Sequence, residues 1–204
     1  MNEIRSDHHK LTVADFRTQN NMQLMFLNRF IFYLIVFLSF LCLALTPNSF
    51  ADGEDFAERW KETLNLVRDR FPNARQLSTQ QLSQWLEDGR NVVLLDTREA
   101  EEFEVSHLKN AHLATSVPDA LKVLEKASSD SIVVLYCSVG YRSSKIAERL
   151  ERRGIPNVYN LEGSLFQWAN EQRPIYSGAK RTDTVHPFDN EWGQLLEKEY
   201  WPVD

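Results

Sequence analysis

The chain has 204 residues, of which 43% are apolar and 25% charged, with a formal net charge of −6 at pH 7. That length suffices for one domain with a proper core, and an acidic chain without clustered base argues against nucleic-acid binding. Five histidines and two cysteines are scattered without metal-ligand spacing, so neither a metal nor a cofactor is expected.

In chain order, residues 1–21 are polar and look like neither a targeting signal nor a domain. Phe30 to Leu45 then run without a charge, directly after Arg29. The run is short against the ~20 residues of a membrane span, although starting at Leu24 with Arg29 snorkelling would suffice. It fits the apolar core of a signal peptide, with Ser49 and Ala51 as the small residues of a cleavage site before Asp52. Arg29 before the run and Asp52, Glu54 and Asp55 after it direct the remainder out of the cytoplasm. The expectation is an exported, periplasmic or otherwise extracytoplasmic protein handled by export machinery, or one anchored in the membrane in the same orientation. Counted from Met1, the leader exceeds the usual ~15–30 residues, so translation is expected to begin at Met22 or Met25. Cys42 would leave with a cleaved leader. Cys137 would then stand alone, with no internal disulfide and no resolving thiol.

Four segments are expected: a leader with signal peptide or anchor over 1–51, an amphipathic helix and linker over 52–74, a domain over 75–175, and an extension over 176–204 that packs on it. Phe56, Trp60, Leu64, Val67 and Phe71 share one face of a helix over Glu54 to Phe71, which Pro72 stops. Strand signals at Val92–Leu95, Ile132–Tyr136 and Val158–Leu161 alternate with helical ones at Thr79–Asp88, Pro118–Lys126, Ser143–Arg153 and Ser164–Gln172. This alternation predicts an α/β fold, a parallel-type sheet with helices on both faces and reactive groups beyond the C-terminal strand ends. The extension carries Tyr176, Phe188, Trp192, Leu195, Leu196, Tyr200 and Trp201, too many large apolar groups to remain in solvent.

The chemistry concentrates at Cys137. An apolar strand ends at this thiol, and Gly140 and Arg142 follow within a short loop before the next helix. Loop amides, the helix N-terminus and a guanidinium all favour a thiolate there. The glycine allows the amides of Ser138, Val139, Gly140, Tyr141, Arg142 and Ser143 to converge on one anion-sized space. Asp96 and Arg98 end the strand Val92–Leu95 at the same sheet edge and are read as an ion pair bracing the loops. His107 is read as structural.

These residues resemble the rhodanese, or sulfurtransferase, family. Cys137 to Arg142 match its Cys-x-x-Gly-x-Arg loop position by position. Asp96-Thr97-Arg98, Glu102-Phe103 and His107-Leu108-Lys109-Asn110-Ala111 resemble a second motif, with Phe103 for tyrosine and Asn110 for glycine. Asn157 to Ser164 followed by Trp168 resemble a third, with Ser164 in place of the second of two glycines. The likeness covers Arg75 to about Ile175. It implies covalent catalysis, in which Cys137 takes a sulfur atom from a small anionic donor such as thiosulfate and passes it to a thiol or to cyanide. It also implies that the loop amides steady the persulfide while Arg142 attracts the donor. Four residues separate Cys137 from Arg142, where cysteine phosphatases have five, so phosphatase or arsenate reductase chemistry is a minor alternative. A non-catalytic binding or sensing module at the membrane and a thiol redox protein are the other readings.

Overall fold

The computed structural model describes residues 49–202 and Ile31, with side chains from residue 53 onward. The expectations for the polar leader, the apolar run, the start site and Cys42 lie outside the described residues. Among the described residues, no helix is long and apolar enough to cross a membrane. Residues from Asp52 onward belong to one compact unit.

Five parallel strands make the central sheet: β1 (Gln76–Leu77), β2 (Val92–Asp96), β3 (His112–Leu113), β4 (Ile132–Tyr136) and β5 (Val158–Leu161), in the order β1-β5-β4-β2-β3. The unbroken apolar run of β4 fits its central place, since a parallel strand covered on both faces has no polar side to show. Its side chains alternate between two cores. Val134 and Tyr136 face one with Leu94 of β2, and Val133 and Leu135 face the other with Leu95.

Helices cover both faces. On the first lie α2 (Thr79–Glu87), through Leu82 and Trp85, and α6 (Ser164–Asn170), through Leu165, Phe166 and Trp168. On the second lie α4 (Val117–Leu124), through Val117 and Ala120, and α5 (Tyr141–Glu151), through Ile146, Ala147 and Leu150. The α/β reading from the alternating pattern is the architecture found.

Several details differ from the sequence expectation. The α5 helix begins at Tyr141 rather than Ser143, because Gly140 adopts φ 105° and caps it. Arg142 therefore stands in the first helical turn and not in the loop. A six-residue helix, α3 (Ala100–Val105), was not expected; it is too short to show a period, and a capping box between Glu99 and Glu102 starts it. The edge strands β1 and β3 have two residues each, below the length at which alternation can be read.

The leading helix α1 (Ser49–Arg70) turns its expected apolar face inward: Val67 is buried, and Phe56, Trp60 and Leu64 are half-buried. Val67, Phe71 and Ala74 form a small cluster with Tyr141, whose ring meets Phe71 edge-on at 4.9 Å between centroids. The first turn of α5, which carries Arg142, is thus backed by the leading helix. After α6 come an antiparallel hairpin, β6 (Ile175–Ser177) and β7 (Lys180–Thr182), and two 3-10 turns, Trp192–Leu195 and Lys198–Tyr200. Val185, Leu195, Leu196 and Tyr200 join the first core, so this extension is built into the domain.

Candidate active site

The sheet reverses its direction of travel between β4 and β2. From β2 the chain moves outward to β3, and from β4 it moves the other way to β5. Connections that leave in opposite directions open a crevice at the C-terminal strand ends, where ligands of such sheets bind. Cys137 follows β4 at that place and is 1% exposed.

The loop around the thiol is fixed from several sides. Leu165 and Phe166, in the first turn of α6, donate their N–H groups to the carbonyls of Cys137 (3.1 Å) and Ser138 (3.0 Å). These are helix donors that would otherwise lack partners. The Cys137 N–H donates to Ser164 Oγ at 3.1 Å, and that hydroxyl donates to the Leu161 carbonyl at 2.9 Å. Ser164 holds this place at φ 52°, next to Gly163 at 66°. Gly140 donates its N–H to Cys137 Sγ at 3.2 Å. Its φ of 105° suits glycine, and an added Cβ would also press on Asn160 Nδ2 at 3.2 Å.

Burial is the largest single influence on the thiol and pushes it up. The Arg142 charge, the Ser143 hydroxyl and amide, and the Gly140 amide together outweigh burial and hold Cys137 below an ordinary thiol. The buried Ser143 hydroxyl has no partner among the oxygen and nitrogen atoms around it.

Arg142, expected to attract the anionic donor, is not a free cation, because the Glu102 carboxylate already holds its charge. Its Nη1 and Nη2 donate to the two oxygens of Glu102 at 2.6 and 2.7 Å, and Nη2 also reaches Ser138 Oγ at 3.0 Å. Ser138 in turn donates to Glu102 at 3.1 Å. Burial raises the Glu102 carboxyl, but the Arg142 hydrogen bonds and charge, the Glu99 amide and Arg98 outweigh it and keep the group ionised. Glu102, 3% exposed, is the site residue whose role sequence reasoning missed. Its place beside Phe103 in the second motif was the available signal.

Of the residues expected at the site, Cys137, Ser138, Val139, Tyr141 and Arg142 line one pocket of about 250 Å³. Gly140 and Ser143 lie behind the thiol and act on it through their donors. Phe188 and Trp192 of the C-terminal extension also line the pocket; the sequence suggests a place at the rim of the site for the extension, with packing alone as the favoured reading, and does not single out these two residues. Asp96 and Arg98 do not line it. Both are fully buried and joined by three N–H···O contacts, Nε to Oδ1 at 3.0 Å and to Oδ2 at 3.2 Å, and Nη2 to Oδ2 at 2.7 Å. Arg98 also donates to the Ser106 carbonyl, and the Tyr136 hydroxyl accepts the Leu108 N–H at 3.0 Å. The pair therefore braces the 106–108 loop against the strand ends. His107 stacks on Phe103 at 4.3 Å, and its Nδ1 lies 2.8 Å from the Leu108 carbonyl. Among the described residues, no group of acids, histidines or cysteines has the arrangement of a metal site.

The pattern of a strand-end cysteine, an amide-lined loop and a following helix has known relatives. A family model described as the rhodanese-like domain matches residues 78–171. A protein named tRNA uridine(34) hydroxylase from Bordetella avium is 36% identical over 124 residues, covering 55% of this chain and 51% of that protein. A probable adenylyltransferase/sulfurtransferase, MoeZ, from Mycobacterium tuberculosis is 29% identical over 119 residues, 56% of this chain and 30% of that one. The chain thus spans about half or less of these relatives. A thiosulfate sulfurtransferase from Pseudomonas aeruginosa shares the fold with a TM-score of 0.52 at 22% identity, covering 60% of this chain and 23% of that one. Residues 78–171 of this chain are a rhodanese-like domain.

Proposed function

We propose that the protein is a sulfurtransferase that carries sulfane sulfur as a persulfide on Cys137. The observation that carries this reading is the Gly140 N–H at 3.2 Å from a buried Sγ whose ionisation Arg142 and Ser143 favour. The Cys137 thiolate attacks the outer sulfur of an anionic donor such as thiosulfate. A Cys137 Sγ–S bond forms, the donor's S–S bond breaks, and sulfite leaves with the bonding pair. An acceptor, cyanide or a thiolate, then attacks the outer sulfur and returns the pair to Cys137. The Gly140 amide and Arg142 favour the charge on Sγ, which is the state that attacks the donor and the state regained on discharge. Relatives that carry sulfurtransferase in their names support the reaction class.

The uncharged run from Phe30 to Leu45 supports a further part of the proposal, that the domain works outside the cytoplasm. With a single cysteine left after cleavage, discharge would fall to an outside acceptor.

Steady-state kinetics with thiosulfate and cyanide test the reaction. The expected result is thiocyanate formation with parallel double-reciprocal lines, lost on Cys137→Ser. A Cys137→Ser variant that retained activity would overturn the proposal, as would a folded native protein inert toward every sulfane donor.

A further inference from the structure

Two of the seven residues that line the pocket beside Cys137 lie beyond the rhodanese-like match. Phe188 and Trp192 lie past residue 171, yet both face the thiol loop across about 250 Å³ of space. Their placement is built. Val185 and Leu195, at 0% and 4% exposure, anchor the chain on either side of them. His186 Nδ1 accepts the Phe188 N–H at 3.0 Å, and Asp189 Oδ1 accepts those of Glu191 and Trp192 at 2.9 and 2.8 Å. Phe188 nonetheless keeps a φ of 69° and is 43% exposed. A large apolar side chain held at a strained backbone position, in the open and at a site, points to a role with a ligand.

Charge agrees with this. The Phe188 ring lies 4.8 Å from Arg142 Cζ and covers the guanidinium, whose edge is already occupied by Glu102 and Ser138. Arg142 therefore offers little free charge to any ligand, the anionic donor included, while an apolar acceptor finds Val139, Tyr141, Phe188 and Trp192.

We infer that Phe188 and Trp192 are specificity-determining residues that select, as sulfur acceptor, a thiol carried on a flat apolar body. The inference rests on the persulfide reading above. The acceptor thiol loses its proton to solvent, and its sulfur attacks the outer sulfur of the Cys137 persulfide. The bond from that sulfur to Cys137 breaks, and its pair returns to Sγ. The acceptor departs as a persulfide whose apolar body had rested against the two rings.

The test uses protein loaded with sulfur and compares its discharge by benzyl thiol and by 2-mercaptoethanol, two thiols of similar basicity. Native protein is expected to favour benzyl thiol by about tenfold or more in kcat/KM, the range a hydrophobic pocket supplies. Phe188→Ala and Trp192→Ala are expected to cut that ratio several-fold, and Phe188→Tyr, which keeps a ring, to keep most of it. Equal rates with the two thiols, or a ratio unmoved in both alanine variants, would overturn the inference while leaving the persulfide reading intact. Failure of Cys137 to load from any sulfane donor would overturn that reading, and this inference with it.

Discussion

Burial alone would leave Cys137 a protonated, inert thiol, as buried cysteines usually are. Arg142, Ser143 and Gly140 reverse this, and the reversal has a pH signature. Because the folded thiol lies below its ordinary value, thiolate accumulates, and its stabilising contribution enters, as pH rises through the folded value. That contribution is complete above the unfolded value of about 8.5 and is lost as pH falls through the folded one. Alkylation by iodoacetamide is therefore expected to reach half its maximal rate at a lower pH in the folded protein than in the unfolded chain. Arg142→Met is expected to move the midpoint upward, since burial stays and the charge goes. A midpoint unmoved by that change would show that Arg142 does not set the thiol. The cysteine was legible in the sequence because a strand end, a glycine and an arginine follow one another along the chain. The Glu102 partnership was not, because α3 and the first turn of α5 meet only in the folded sheet.

Among the elements, the start of α6 joins fold to site most directly. Ser164 spends its hydroxyl on the Cys137 N–H and holds a left-handed φ of 52° to do so. Ser164→Ala removes the acceptor, leaves a buried N–H unpaired and keeps the backbone strain, so a loss of about 1–3 kcal/mol is expected. Ser164→Gly loses the same acceptor but relaxes the backbone, so urea midpoints should fall in the order native, glycine, alanine. An alanine variant as stable as the native protein would refute the role given to this hydroxyl. The long elements were readable from sequence, since β2, β4, β5 and α2 each show a run or a period. The two-residue strands β1 and β3 carry no such pattern and are set by their neighbours, Gln76 pairing with Asn160 and Leu95 with His112.

Over the whole molecule, the domain extends well beyond the family match at both ends. Phe71 of the leading segment backs Tyr141, and Val185, Leu196 and Tyr200 of the extension fill the first core. Leu196, 2% exposed, is expected to behave as a core residue: Leu196→Ala should lower unfolding stability by about 2–5 kcal/mol in urea denaturation. A change within about 0.5 kcal/mol, typical of surface positions, would mean that the extension adds little to the fold. The density of aromatic and leucine residues after Pro174 made its packing readable from sequence. Which of them would reach Cys137 was not readable, because that depends on the turn at Phe188 and the cap at Asp189.

The most direct test of the central claim is the intact mass of the protein before thiosulfate, after thiosulfate and after cyanide. A gain of one sulfur atom is expected, removed by cyanide and absent in Cys137→Ser. A mass unchanged by thiosulfate and by every other sulfane donor, in protein whose Cys137 alkylates normally, would contradict it.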